Sequence, residues 1–157
     1  MKKLKFFLSI TLLVLVTCLI QSCWQWALRV GEPYRGATVC YSDSTGWHGY
    51  VCAPNDFEAT TWAEASRICS EYNLGGWDSG WELPSKFILN EMYLNKNKIG
   101  GFSDGCEKEG GDFHQCSYWT SESNKPENAW NLYFATGIFW DNYSKASVGR
   151  FRPVHRY

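Results

Sequence analysis

The chain has 157 residues, 17% of them aromatic and nine of them tryptophan, with a formal net charge of −1. That length accommodates one domain with a real core. The near-neutral balance excludes the broad basic footprint of a general nucleic-acid binder. At the start, Lys2, Lys3 and Lys5 precede an apolar run from Phe6 to Val16, which is short for a membrane span and reads as a targeting segment. There is no internal repeat.

The targeting segment ends in Leu19-Ile20-Gln21-Ser22-Cys23. A small residue before a cysteine after an aliphatic stretch resembles a bacterial lipobox, with Gln21 an imperfect match. The resemblance implies removal of residues 1–22, acylation of Cys23, and a stable anchor through several acyl chains. A plain secretory signal or an uncleaved anchor is the alternative. Three of the 15 basic residues leave with the signal, so twelve face 16 acidic ones and the mature chain carries about −4. Trp24 stands where some lipoproteins carry an inner-membrane retention aspartate, so the expected address is the outer membrane or the cell surface. Residues 23–36 then form a lipidated terminus and linker, and residues 37–157 the domain.

Beyond Cys23, five cysteines remain in a compartment where disulfides are the default. Cys40 and Cys52 flank a turn-rich stretch and are spaced to staple a hairpin. Cys106 and Cys116 flank a glycine-rich loop and are spaced to close it. Spacing alone does not fix connectivity.

Strands are expected at 37–41 and 49–53. Thr61 is positioned to cap a helix, with Glu64 completing a capping box. Trp62, Ala65, Ile68, Cys69 and Tyr72 make its apolar face, which places Cys69 in the core, and Gly75-Gly76 is expected to end it. Trp77 and Trp81 bracket a turn, and a second helix runs over 85–95. Residues 99–117 hold five glycines and many charges, the pattern of a long surface loop. The last third alternates as strands over 118–121, 129–135, 138–143 and 149–154, with Thr136-Gly137 as a tight turn.

Thr61-Trp62-Ala63-Glu64-Ala65, Cys69, Leu74-Gly75-Gly76-Trp77 and Trp81-Glu82-Leu83-Pro84-Ser85 resemble the opening of the Lcl C-terminal domain family, named for a bacterial collagen-like adhesin. Tyr118-Trp119-Thr120-Ser121-Glu122, Asn128-Ala129-Trp130, Phe134, Gly137 and Arg150-Phe151-Arg152-Pro153-Val154 resemble its second half. The resemblance covers residues 38–157. It implies an α+β, C-type-lectin-like fold: two helices packed on a small twisted antiparallel sheet with long loops. Three positions depart from the family pattern: Glu82 replaces an arginine, Ile88 an acidic residue, and Pro153 a cysteine. The last removes the family partner of Cys69 and implies a free thiol.

For catalysis, His48, His114 and His155 are scattered, and no motif ties them to a nucleophile; a Cys69–histidine pair is the one Cys-His candidate. Formylglycine-generating relatives use a reactive cysteine pair near their C-terminus, and this chain has no cysteine after Cys116. Cys106, His114 and Cys116 match no common zinc spacing. Lys125-Pro126-Glu127-Asn128 and Trp130-Asn131-Leu132 scramble the calcium-site order of true C-type lectins. The expectation is therefore a non-catalytic domain with no metal or cofactor.

Trp140, Asp141, Asn142 and Tyr143 form an aromatic-polar cluster suited to protein recognition or to stacking on a sugar ring. Arg150, Arg152 and Arg156 sit in a basic stretch suited to a sulfated glycan; the alternative is that these arginines pair with carboxylates of the sheet. The expected function is adhesion to host or environmental polysaccharide by a surface or periplasmic lipoprotein, as the resemblance implies. A protein-binding display lipoprotein, diversified at its C-terminal strands, and an enzyme of the formylglycine-generating type are the alternatives.

Overall fold

The structure is a computed structural model that describes residues 27–103 and 113–157. The expected signal, the Cys23 acylation site and Cys106 lie outside the described residues. Among the described residues, two sheets and four helices make a mixed α+β fold. Strands β1 (Pro33–Tyr34), β2 (Ala37–Ser42) and β3 (Gly49–Cys52) form a meander. Strand β4 (Phe57–Thr60) leads into helix α1 (Trp62–Glu71). Helix α2 (Lys86–Leu94) continues into the short α3 (Lys96–Ile99). After the short α4 (Phe113–Cys116) come β5 (Ser117–Trp119), β6 (Asn128–Tyr133), β7 (Ile138–Ser144), β8 (Gly149–Phe151) and β9 (Val154–Arg156).

The smaller sheet has the order β1-β2-β3-β9 and the larger the order β4-β8-β5-β6-β7. All pairs are antiparallel except β5–β8, which is parallel, so the larger sheet is mixed. Apolar side chains divide into three clusters. Helix α2 sends Ile88, Leu89 and Met92 against Tyr118, Leu132 and Phe134 of the larger sheet and Cys40, Cys52 and Val154 of the smaller one. Helix α1 places Ala65 and Cys69 against Trp119, Ala129 and Phe151 on the opposite face of the larger sheet. Val39, Val51 and Trp81 fill the outer side of the smaller sheet. The two helices thus lie on opposite faces of the larger sheet, and each face that they cover is dehydrated.

Ser85 caps α2, its hydroxyl accepting from the Ile88 backbone N–H at 3.2 Å. Thr61 occupies the N-cap of α1, but its side chain makes no capping bond. Glu64, the expected partner in a capping box, instead binds Arg67 at 2.6 Å one turn on. Gly75 and Gly76 do not end α1, which stops at Glu71 with Tyr72 extended. They form the turn that pairs Leu74 with Trp77. At φ +65°, a Cβ on Gly75 would also stand 1.7 Å from the Arg35 carbonyl, so no other residue fits there.

The alternation expected over 149–154 is two strands in two sheets. Proline lacks an N–H for a ladder, and Arg152-Pro153 separates β8 from β9. Arg152 is fully buried at this crossing. Its guanidinium donates to the carbonyls of Ala53, Pro54 and Gly100, each at 2.6 Å, and lies 4.4 Å over the Phe102 ring. The planar fork meets three fixed acceptors that a lysine ammonium on a single stem does not span.

The β2–β3 hairpin turns on Asp43, whose carboxylate accepts from the Thr45 N–H, the Thr45 hydroxyl and the Gly46 N–H. Cys40 and Cys52 are buried across this hairpin with their thiols in contact, as free cysteines. Burial first, and the adjacent Cys52 second, push the Cys40 thiol well above its ordinary range.

Two predictions test this framework. Arg152→Lys orphans at least one buried carbonyl, at about 1–3 kcal/mol for each, so thermal unfolding should show a clearly lowered Tm; an unchanged Tm would contradict the assigned contacts. The Thr45 and Gly46 bonds hold the Asp43 carboxyl below its ordinary range. Its stabilisation is therefore complete above the unfolded carboxylate pKa and disappears as pH falls through the lower folded value. Amide exchange at Gly46 should accelerate only below that ordinary range, and Asp43→Ala should abolish the dependence.

Candidate functional site

Cross-strand pairing decides which side chains share the face of the larger sheet on which α1 packs. Ser117 lies opposite Tyr133, Trp119 opposite Asn131, Asn131 opposite Trp140, and Tyr133 opposite Ile138. Directly opposed residues point to the same side, so Ser117, Trp119, Asn131, Tyr133, Ile138 and Trp140 belong to one face. A bulge between Ala129 and Asn131 brings Tyr143 opposite Ala129 on the same side. The Phe113 ring, at the start of α4, stacks on Tyr133 at 5.1 Å and meets Tyr143 at 5.4 Å and Trp140 at 6.2 Å. Tyr143 also packs against Trp119 at 4.9 Å. Its hydroxyl donates to the Val148 carbonyl at 2.7 Å and lies 2.6 Å from His114 Nδ1.

The expected cluster is therefore divided. Trp140 and Tyr143 join Phe113 and Tyr133 in an aromatic patch, while Asp141 and Asn142 are exposed at the edge strand β7, with Asp141 accepting from Asn124 at 3.3 Å. Ile138, Trp140 and Val148 are three of the six exposed large apolar side chains among the described residues. Ile138 and Trp140 thus put exposed apolar surface on strand β7.

The tryptophans sort themselves by what covers their rings. Seven of the nine lie in the described residues. Trp81 and Trp119 are buried. Lys145 lies 4.6 Å over Trp62, Arg35 4.5 Å over Trp77 and Lys86 3.4 Å over Trp130. His155 stacks on Trp77 as well, at 4.9 Å. Trp140 and Trp47 remain, at 43% and 56% exposure. Trp47 borders an open cleft of about 320 Å³ with Leu28, Tyr34, Gly46 and Tyr157. It stands alone in sequence between polar and glycine residues, so no pattern marked it.

The basic stretch does not form a surface. Arg152 is interior, as described above, and is removed from any ligand-facing role. Arg150 keeps only 13% of its side chain exposed; it donates to Gln115 at 2.7 Å and pairs with Asp56 at 3.7 Å and Glu58 at 3.6 Å. Asp56 in turn accepts from the Tyr118 hydroxyl and the Ser103 N–H. This is the carboxylate pairing weighed against glycan binding, and it borders an open cleft of about 450 Å³ lined by Asp56, Phe57, Glu58 and Tyr72. Arg156 is exposed.

Cys69 is buried on α1; desolvation, with the charge of Glu82 second, pushes its thiol up to about 12. Cys116 is buried with a free thiol, and its expected partner Cys106 lies outside the described residues. Among the described residues no group of three or more histidine, cysteine, aspartate or glutamate side chains is arranged to hold a metal ion. Sequence reasoning missed Phe113, Ser117, Asn131 and Tyr133. Asn131 and Tyr133 alternate along the strand expected over 129–135, so alternation carried the signal for them. Phe113 and Ser117 lay in the segment read as loop.

No family model matches the chain, and no curated protein matches it.

Proposed function

We propose that this is a non-catalytic binding domain whose ligand is a polysaccharide stacked on the Trp140 face. The observation that carries the reading is the fate of the tryptophan rings: cations or core atoms cover five of the seven in the described residues, and of the two left open, Trp47 and Trp140, Trp140 is the one packed with Phe113 in an aromatic patch. Sugar rings present apolar C–H faces that match such rings, and aromatic side chains contribute large contact area at low entropic cost. Helices on opposite faces of a sheet support a C-type-lectin-like domain of the Lcl C-terminal type. The Lys-rich start and the Leu19–Cys23 sequence support a lipid-anchored surface protein at the outer membrane.

The burial of Arg152 and the pairing of Arg150 change the expected chemistry of the ligand. A sulfated chain needs several free cations, and of the three arginines only Arg156 offers one. Stacking and hydrogen bonding then dominate, and affinity depends little on salt.

A second reading, protein recognition at β7, is favoured by one observation. The strand lies at the edge of its sheet, and Ile138, Trp140, Asp141 and Asn142 are all exposed. Such positions tolerate substitution without disturbing the core, and an open edge accepts a further strand. The formylglycine-generating alternative requires a reactive thiol. Burial opposes it at Cys69, because the thiolate is the nucleophile.

Binding of the detergent-solubilised full chain to a glycan panel tests the leading reading. Trp140→Ala should weaken binding about tenfold or more, the loss of one stacked ring, while raising salt should change it little. Loss in Trp47→Ala instead, or steep salt dependence, would contradict the Trp140 assignment. For Cys69, iodoacetamide should label the native protein slowly at neutral pH and rapidly after unfolding. Because the folded thiol pKa is raised, the stability it confers is full below the unfolded value and declines as pH rises from about 9 toward 12.

A further inference from the structure

Beneath the aromatic patch lies a polar floor that folding leaves unpaired. Asn131 is fully buried, and among the described residues neither its amide nitrogen nor its amide oxygen has a hydrogen-bond partner. The Ser117 hydroxyl is equally buried and equally unpaired. Both point to the face that carries Trp119, Tyr133 and Trp140. Nearly all buried polar groups in folded proteins are paired, so three orphaned atoms in one place demand a cause. An apolar residue of similar size at 131 would avoid the desolvation penalty altogether.

We infer that Asn131 and Ser117 read the acetamido group of an N-acetylated amino sugar whose ring stacks on Trp140. The inference rests on the stacking reading above and specifies its ligand. A primary amide offers an NH2 donor group and a carbonyl acceptor in a single plane. The acetamido group is a trans secondary amide, whose N–H and C=O point to opposite sides, so Asn131 pairs with one of them and the Ser117 hydroxyl, on the neighbouring strand, is available for the other. A lone sugar hydroxyl satisfies the floor less completely, because it brings one group where the acetamido substituent brings two. The surrounding aromatic rings suit the acetamido methyl.

Access runs past Phe113. Its ring packs against Tyr133, Trp140 and Tyr143, the aromatic neighbours of Asn131 on the sheet. Ligand entry requires this ring to move, after which Tyr133 and Trp140 remain as walls.

Calorimetric titration of the full chain with chitotriose and with cellotriose tests the inference. These trisaccharides share ring size and linkage and differ in the acetamido group. Chitotriose should bind about tenfold tighter or more, because a site built to hydrogen-bond a group rejects the analogue that lacks it. Asn131→Leu should abolish the difference while leaving the melting temperature equal or higher, since the substitution removes an unpaired buried amide. Equal binding of both sugars by the wild-type chain, lost in Trp140→Ala, would overturn the acetamido assignment and leave stacking intact. Binding of neither would overturn both. A lowered melting temperature in Asn131→Leu with chitotriose affinity unchanged would assign Asn131 to folding and overturn the inference.

Discussion

The Arg152 guanidinium is the contact on which the arrangement of the domain depends. It sits where the chain leaves β8 in the larger sheet and enters β9 in the smaller, and there it ties Ala53 and Pro54 beyond β3 to Gly100 at the end of α3. The Ala53 N–H donates to the Pro153 carbonyl beside it. A buried cation is costly unless its donors are met, and three carbonyls with one aromatic face meet this one. With that junction set, β8 fixes β5, β5 fixes β6, and β6 fixes β7. The orientation of Trp140 follows from a contact at the other side of the sheet.

A second constraint is the management of aromatic surface. A domain of this size cannot bury so many large rings in its core. Lysine and arginine stems instead cover Trp62, Trp77 and Trp130, combining cation–π attraction with apolar packing of the stem. Arg35, Lys86 and Lys145 are therefore engaged in covering these rings. Basic residues and aromatic residues neutralise one another's surface properties at these three rings, whereas Trp140 stays 43% exposed.

Much of the fold was legible in the sequence. Helical spacing located α1 and α2, and alternation located β2, β3, β6 and β7, because both elements bury one face and the period reports that face. Three features were not legible. Alternation through Gly149–Val154 cannot show that Pro153 sends the chain into another sheet. β4 is short and irregular in register with β8, so it offered too little pattern. Glu64 had two partners within one turn, and the sequence does not reveal that the Arg67 ion pair prevails over the capping box. For the site, Trp140 and Tyr143 were legible as an aromatic cluster. The fates of Arg150 and Arg152 were not, because an arginine in a strand looks the same whether it meets solvent or carbonyls three-dimensionally close but some fifty to a hundred residues away in the chain. Asn131 was legible only as part of a scrambled calcium-site order, because the register alone puts it between Trp119 and Trp140.

The central claim is that ligand contacts the Trp140 face and no other, and indole N–H resonances report on it most directly. In a ¹⁵N-labelled sample titrated with an N-acetylated oligosaccharide, the Trp140 indole signal should move with ligand, together with the Asn131 side-chain amide. The indoles of Trp62 and Trp119, which donate to the carbonyls of Thr120 and Thr60, should stay in place. Movement of the Trp47 indole with Trp140 unchanged would place the ligand on the other sheet and contradict the account.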